Sequence, residues 1–514
     1  MIPSSNLLLV AASIAFTLIF LRAIYNLFLS PLSAIPGPWY AAVSDIWIGY
    51  HALRLRQCKT VHHMFEIYGP VVRIGPSRVA FLDISSMRNV YSVYKFDKSS
   101  YYKGLLTNEN DHAMTTLDHA SHSIRRKSYS PHYTPNNIAR FQSEMHETTL
   151  ELTTFLESTA GKSSLECLAM FRNLMVDVTI FSLFGYRLGA VGKWIVGAED
   201  PLSTAINDFP KRGILRSVVP GWAWNLVSRI PSNRWRRLCD SDKIMAEFVS
   251  DRVYETRGQA NAGKIEEAEK PTLLQRLLSH RYSANQPVPD SHIISECMGH
   301  LVAGSDTSST TITYILWELS KRPAVVKKLQ AELDEAMPDS QAIPDISILQ
   351  ELPYLSGVVK EGLRLYTAAP SLLERVVPSF AAKLGRPDED FDLMGYPIPA
   401  GTIVSTQAWS MHRNASVFAN PDAFLPERWL DSYSSSDQLV KMHQHLIAFG
   451  IGVRVCGGQN LAQVIMRIVL ATICRNFTIA ASSDTNEKSM EIRDSFVIFP
   501  AAMQCNLIFK PRQS

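Results

Sequence analysis

From Leu7 to Leu21 the chain reads LLLVAASIAFTLIFL without a charge, and after Arg22 a second apolar stretch, AIYNLFL, runs through Leu29. Together they give about 20 residues, enough to cross a bilayer as a helix. Arg22 then sits where its long stem can reach the headgroups. A secretory signal needs a positive amino end, and Met1–Asn6 (MIPSSN) has no basic residue and is followed by no clean cleavage site. The first basic residues, Arg22, Arg54 and Arg56, follow the apolar run, so the bulk of the chain is expected on the cytoplasmic side. The Asn414 and Asn476 glycosylation sequons are therefore read as chance. Pro31, Pro36 and Pro38 in PLSAIPGP cannot continue a helix and predict a stiff extended link.

Beyond residue 50 the patterning is mostly helical. A long helix is expected from near Ser291 through HLVAGSDTSSTTITYILWELSK to before Pro323, another over Val325–Met337, and another over Tyr354–Tyr366. Short strands are expected at Val71–Gly75, Arg78–Leu82, Thr402–Gln407 and Cys505–Phe509. GQANAGKIEEAEKPT (Gly258–Thr272) and DSYSSSDQ (Asp431–Gln438) read as exposed loops. The fold class is mainly α with a small β portion (α+β), without internal repeats.

Composition narrows the function by exclusion. A formal net charge of +3 over 514 residues, with no basic run interleaved with aromatics, gives no sign of nucleic-acid binding. The seven cysteines are odd in number and widely spaced, with no C-x-x-C. That argues against a disulfide framework or structural zinc and favours a reducing compartment. His112, His119, His122 and His132 lack a carboxylate at zincin spacing.

The segment Phe449–Gly458, FGIGVRVCGG, resembles the haem-binding signature F-x-x-G-x-R-x-C-x-G of the cytochrome P450 family. Phe449, Gly452, Arg454, Cys456 and Gly458 match all five fixed positions, and chance would give such a match in about 10⁻⁴ of chains this long. A dinucleotide fingerprint is excluded by Val455 at its third glycine. The chemistry accounts for the pattern. A thiolate pushes electron density onto iron and favours O–O cleavage, glycines let the backbone approach the sulfur, and amides at a helix start stabilise the anion. The resemblance implies Cys456 as axial ligand of a b-type haem (iron protoporphyrin IX), Phe449 shielding the sulfur, Gly458 in the turn, and Arg454 on a propionate. Many relatives carry Glu where this chain has Ile465, a helix position away from the iron.

Other motifs fit the same family in order. E-G-L-R (Glu361–Arg364) with FLPERW (Phe424–Trp429) predicts a buried Glu361–Arg364–Arg428 cluster with a structural role. AGSDTS (Ala303–Ser308) resembles the oxygen-activation motif. There Gly304 would open a groove for dioxygen, Thr307 would bond the iron-bound peroxide, and Asp306 would relay protons. HSIRR (His122–Arg126) resembles the propionate-binding helix, giving His122 and Arg126, and Arg375 in LLERVVP matches a further propionate arginine. Arg125 and Lys127 are expected to face outward as a docking site for an acidic partner.

The resemblance thus implies a cytochrome P450 fold with an N-terminal transmembrane helix: residues 1–30 as anchor, 31–50 as proline-rich hinge, 51–514 as haem-thiolate catalytic domain. It is most like fungal microsomal members, single-pass in the endoplasmic reticulum membrane with a cytosolic body. The implied reaction is oxygen insertion into a lipophilic, terpenoid-like small molecule of secondary metabolism. Electrons come from NADPH through a separate NADPH–cytochrome P450 reductase, with cytochrome b5 as a second donor. The wall segments Tyr102–Thr116, Ile206–Trp224, Met298–Val302 and Ala368–Leu373 are largely apolar. Two rivals are a haem-thiolate isomerase or dehydratase needing no external electrons, and a membrane-anchored haem or lipid carrier. Neither needs the Asp306–Thr307 pair.

Overall fold

A computed structural model describes residues 4–219, 221–262, 270–283, 286–381 and 389–512. Helix α1 (Ser4–Ile24) continues into a wider π-type turn, Tyr25–Leu29. Among the described residues two helices are long and apolar enough to cross a membrane, Leu9–Leu29 and Cys167–Phe184. The first stands clear of the body, with Phe16 71% exposed; the second is 78% buried and is a core helix. The proline run is seated on the body rather than extended as a spacer. Leu32 and Ile35 are buried in a core cluster, Arg73 donates to the Asn26 carbonyl at 2.7 Å, and the Arg73 amide donates to Pro36 O at 2.8 Å. Tight turns at Ser30–Ser33 and Leu32–Ile35 fold it back because burying two large apolar side chains outweighs keeping the run extended.

A five-stranded sheet flanks the helices. It consists of β1 (Val71–Gly75), β2 (Arg78–Phe81), β3 (Asp97–Lys98), β4 (Arg375–Val376) and β5 (Ile403–Ser405), in the order β1-β2-β5-β4-β3. Only the β2–β5 pair is parallel. The antiparallel β3–β4 register places Lys98 opposite Arg375, which matters for the site.

The helical body is built from α2 (His119–Tyr129), α3 (Cys167–Phe184), α4 (Asp290–Ser320), α5 (Pro353–Leu365) and α6 (Gln459–Asn476). α4 runs through the centre, packed along α3 and touching α5 and α6. Its Ser/Thr-rich middle is helical because the hydroxyls bond back four residues: Ser305 to Leu301 O at 2.8 Å, Thr307 to Ala303 O at 2.8 Å, Ser309 to Ser305 O at 2.9 Å and Thr313 to Ser309 O at 2.8 Å. These bonds satisfy polar groups that would otherwise be buried unpaired.

The expected boundaries lie within two residues of the observed ones, with one systematic difference. Pro323 and Pro353 are the first residues of Pro323–Ala336 and Pro353–Leu365, since a helix's first position needs no amide hydrogen. Of the two expected loops, Gly258–Asn261 ends the helix Ser241–Asn261, Thr272 opens a capping box, and residues 263–269 lie outside the described residues. The second loop is partly taken up by the helix Ser436–His445, capped by Ser435.

Candidate active site at the cysteine loop

The loop before α6 is folded so tightly that only glycine fits at Gly452. Its φ is +69°, and a Cβ there would lie 2.2 Å from the Tyr91 carbonyl oxygen. The Cys456 amide donates to Phe449 O at 2.8 Å, closing the loop, and Phe449 is half-buried against the main core. Of the seven cysteines, Cys456 alone is exposed. Protein packed around the sulfur desolvates it and raises its thiol pKa, while the Gly458 amide, the Arg126 charge and the Gln459 amide act to lower it. With Gly458 capping α6, these donors are set for an anionic sulfur.

Cations gather beside the loop. Arg126 donates to Val455 O at 2.6 Å. Arg454 donates to Thr116 O, Leu117 O and Asp118 O at 2.8, 2.7 and 2.9 Å. Arg375 is buried, lies 4.9 Å over the Tyr91 ring and donates to Glu374 O at 2.8 Å. Lys98 donates to Met114 O at 2.7 Å and lies 4.2 Å over the Tyr102 ring. Burial, then Arg375 and Arg454, push the Lys98 pKa well down. Burial and then Arg375 bring Arg454 to about 10. His122, buried among Arg454, Lys98 and Arg126, is pushed to about 2, chiefly by burial, and so is neutral. Among the described residues none of Lys98, Arg126, Arg375 and Arg454 forms an ion pair with a carboxylate. Four converging cations answered only by carbonyls and rings are costly, and an anionic group with two carboxylates would relieve them. A thiol donor with this cradle fits an iron porphyrin.

Sequence reasoning placed His122, Arg126, Arg375 and Arg454 here and missed Lys98, a lone lysine in a short strand with no motif around it. Arg125 requires a correction. It is buried, with its guanidinium 3.7 Å from Glu296, so only Lys127 of the expected docking pair is exposed. Three residues beyond His122, Arg125 shares that side chain's inward face of α2.

On α4, Ala303 is exposed and Thr307 half-buried. Asp306 is buried and accepts from Arg172 Nε of α3 at 2.7 Å. Arg172 was not foreseen; a lone arginine in the apolar run CLAMFRNLM was its signal. Gly304 also differs from expectation. A Cβ there would meet Thr179 Oγ1 at 2.9 Å, so this glycine lets α4 approach α3 and does not open the groove; the exposed position is Ala303.

Behind the loop, Glu361 receives Arg364 twice, at 2.9 and 2.8 Å, Arg428 at 3.1 Å and Trp429 Nε1 at 2.9 Å. The expected cluster is present, with Trp429 as an added member. Fully buried His412 bridges it to the loop, its Nδ1 2.9 Å from Arg364 O and its Nε2 accepting from the Ile447 amide at 2.9 Å. Burial brings its pKa to about 3. The unfolded ring titrates near its ordinary value, so between the two the unfolded state binds more protons. His412 therefore contributes stability that is whole above about pH 6.5 and falls by about 1.4 kcal/mol per unit as pH drops toward 3. In urea titrations across pH 6.5–4.5, His412→Gln should show a shallower loss of stability than the wild type; identical slopes would contradict this.

The family model described as Cytochrome P450 matches residues 36–507. The chain belongs to the cytochrome P450 family. It is similar to the cytochrome P450 monooxygenase stcB of Emericella nidulans, at 28% identity over 490 residues covering 93% of this chain and 88% of that one. It is also similar to the monooxygenase sdnE of Sordaria araneosa, at 28% identity with 92% of each chain covered. Tryprostatin B 6-hydroxylase of Aspergillus fumigatus matches at 27% identity, over 89% of this chain and 76% of that one. This P450 is a monooxygenase, and the family is the haem-thiolate one expected from the loop.

Proposed function

We propose that this P450 hydroxylates a lipophilic small molecule of secondary metabolism. It would use electrons from NADPH passed by NADPH–cytochrome P450 reductase, with cytochrome b5 as a second donor. The observation that carries the reading is Cys456 beside Lys98, Arg126, Arg375 and Arg454, which pair with no carboxylate among the described residues, together with the acid–alcohol pair of α4. In this reading Cys456 ligates a b-type haem and Phe449 covers the sulfur. Arg126, Arg375, Arg454 and Lys98 hold the propionates, with neutral His122 as hydrogen-bond donor. When bound, the haem supplies dioxygen activation and transfer of one oxygen atom to the substrate. The hydroxylase and monooxygenase names of the relatives and the apolar wall segments support the substrate class.

The chain's own residues manage the protons. Thr307 Oγ1, now donating to Ala303 O, can turn its hydrogen away from the helix backbone at the cost of one weak bond. Asp306 must loosen from Arg172 before its carboxylate can pass a proton inward, so this ion pair times the relay. A positioned relay contributes about 10²–10⁴ in rate. Thr307→Ala should keep haem and substrate binding while NADPH consumption yields hydrogen peroxide in place of product. Asp306→Asn should slow NADPH consumption itself. Product formed at full rate without NADPH would favour the isomerase reading instead, and unchanged coupling in Thr307→Ala would remove that residue from oxygen activation.

The exposed α1 supports anchoring in the endoplasmic reticulum membrane with residues 51–514 cytosolic. Removing residues 1–30 should release most of the protein from membranes and lower stability by about 1–3 kcal/mol, because buried Arg73 loses the Asn26 carbonyl. Removing residues 1–35 should lower stability by a further 3–5 kcal/mol or about that, because Leu32 and Ile35 leave the core. Fractionation and thermal melts check both. In this reading the apolar VVPGWAW segment (residues 218–224) is a second contact with the bilayer; its Pro220 lies outside the described residues. Lumenal glycosylation at Asn414 would contradict the orientation.

A further inference from the structure

Lys98 and Arg454, two of the four cations beside the cysteine loop, are held by one short stretch of backbone. Lys98 donates to Met114 O at 2.7 Å, and Arg454 to Thr116 O, Leu117 O and Asp118 O at 2.8, 2.7 and 2.9 Å. The turn that carries the first of these carbonyls starts at His112 and is braced from within. The His112 carbonyl accepts from the Thr115 and Thr116 amides at 3.1 and 3.0 Å and from Thr116 Oγ1 at 2.9 Å. The His112 amide in turn donates to Thr115 Oγ1 at 3.0 Å. With these bonds made, His112–Thr116 moves as a unit.

Two residues of α4, Glu296 and Gly299, meet this turn. Glu296 is buried, with 4% of its side chain accessible, and both its oxygens accept from the Ala113 amide at 3.2 Å. Burial acts to raise its pKa, but His300, His112 and Arg125 bring it below the ordinary value. The Ala113 amide therefore meets a charged acceptor, which makes the bond a strong one. Gly299 makes room for the His112 ring: a Cβ there would lie 2.6 Å from its Nδ1. Glycine inside a helix is unfavourable relative to alanine, and this close approach is the reason for one here. The ring is not free to swing aside, since His112 is buried and its Nε2 lies 3.0 Å from Leu105 O. Ser295 adds a pin one residue before Glu296. Its carbonyl accepts from Thr107 Oγ1 at 2.9 Å, and its hydroxyl donates to Asn110 O at 3.0 Å.

We propose that Glu296 and Gly299 are positioning residues for the haem: α4 seats the His112–Thr116 turn, and the turn sets where Lys98 and Arg454 point. The inference rests on the haem reading of the site. Its force comes from how these two cations are held. Neither pairs with a carboxylate among the described residues, so the carbonyls of residues 114–118 are what orient them. Whatever fixes the turn then fixes half of the cations available to the propionates. Glu296 also reaches the other side of the cradle, because Arg125, 3.7 Å from its carboxylate, is the sequence neighbour of Arg126 on α2. The same helix bears Asp306 and Thr307 about two turns after Gly299, so α4 carries both the acid–alcohol pair and the seat of the cations.

The test compares haem-loaded wild type with Gly299→Ala, Glu296→Gln and Lys98→Met, and with each of the first two in the Lys98→Met background. Haem release is followed as transfer to excess apomyoglobin. The reduction potential of the bound haem is read by dye-mediated spectroelectrochemistry, and fold stability by urea midpoints. Gly299→Ala and Glu296→Gln should each release haem about tenfold faster, the effect of weakening one charge-assisted hydrogen bond. Gly299→Ala changes no charge, so its reduction potential should fall as the cations withdraw, because nearby positive charge favours the reduced form. In the Lys98→Met background either substitution should add about threefold or less, since one of the two cations it acts through is gone. Haem release equal to wild type in both single variants overturns the proposal. So does a lower urea midpoint with an unchanged potential in Gly299→Ala, or a full tenfold added in the Lys98→Met background, as a purely structural role would give. Glu296→Gln keeps the side chain's shape and an acceptor for Ala113, so its release rates decide the question where Gly299→Ala does not fold. Wild type that binds no haem would overturn the cofactor reading and the inference with it, whereas haem-loaded variants that match wild type overturn the seat alone.

Discussion

Replacing Cys456 by serine is expected to abolish the thiolate-type absorption band of the reduced carbon monoxide complex and with it the monooxygenase activity. Serine keeps the loop's shape, because the closing bond to Phe449 O comes from the residue's own amide. It fails chemically: a hydroxyl is far less acidic than a thiol and does not supply the electron density that O–O cleavage needs. The anion cradle is untouched by the change, since Lys98, Arg126, Arg375 and Arg454 are positioned by Met114, Val455, Glu374 and Thr116–Asp118 carbonyls. Haem content should therefore fall much less than the band. Retention of a thiolate-type band in Cys456→Ser would show that another residue ligates the iron. The six remaining cysteines are buried, which makes a substitute ligand hard to supply.

What the sequence disclosed depends on how local each cause is. The cysteine loop was legible because its requirements lie within one segment: glycine where φ is positive, an amide donor beside the sulfur, a helix start immediately after. The i, i+3 geometry of Glu361 and Arg364 is likewise local, and α4 is delimited by prolines near both ends. Orientation toward distant elements was not legible. Arg125 and Arg126 are adjacent in sequence, yet Arg125 faces Glu296 while Arg126 faces Val455, and only the packing of α2 decides between them. Gly304 sits in a motif that suggests a groove, but its role is set by Thr179 on α3. Lys98 joins the cradle through the pairing of β3 with β4, two short strands with almost no pattern of their own. The proline run was read correctly as non-helical and incorrectly as a spacer, because the two residues that decide its position, Leu32 and Ile35, are isolated apolar residues between prolines.

Glu361→Ala is expected to cost about 3–5 kcal/mol of stability, the largest single effect among substitutions away from the sulfur. The carboxylate is fully buried and, among the described residues, is the only acid paired with Arg364 and Arg428. Without it two buried guanidiniums face each other with only carbonyls in answer, the circumstance in which removal of one partner is most costly. Against a typical total of about 5–15 kcal/mol, that loss leaves a substantial unfolded population at growth temperature. Trp429→Phe is the graded control. It removes one hydrogen bond to the same carboxylate, worth about 1.5–3 kcal/mol because the acceptor is charged, and keeps both ion pairs. The consequence should reach the active site. Arg364 holds the His412 carbonyl at 2.8 Å and, through its own carbonyl, the His412 ring, whose other nitrogen receives the Ile447 amide two residues before Phe449. As Arg364 moves, the entry to the cysteine loop loses its register, so haem retention should fall with stability in the order wild type, Trp429→Phe, Glu361→Ala. Chemical unfolding midpoints and haem-to-protein ratios measure the two together. A Glu361→Ala protein with a wild-type midpoint would show that the cluster does not hold the fold, whereas one destabilised but fully haem-loaded would break the link from Glu361 through His412 to Cys456.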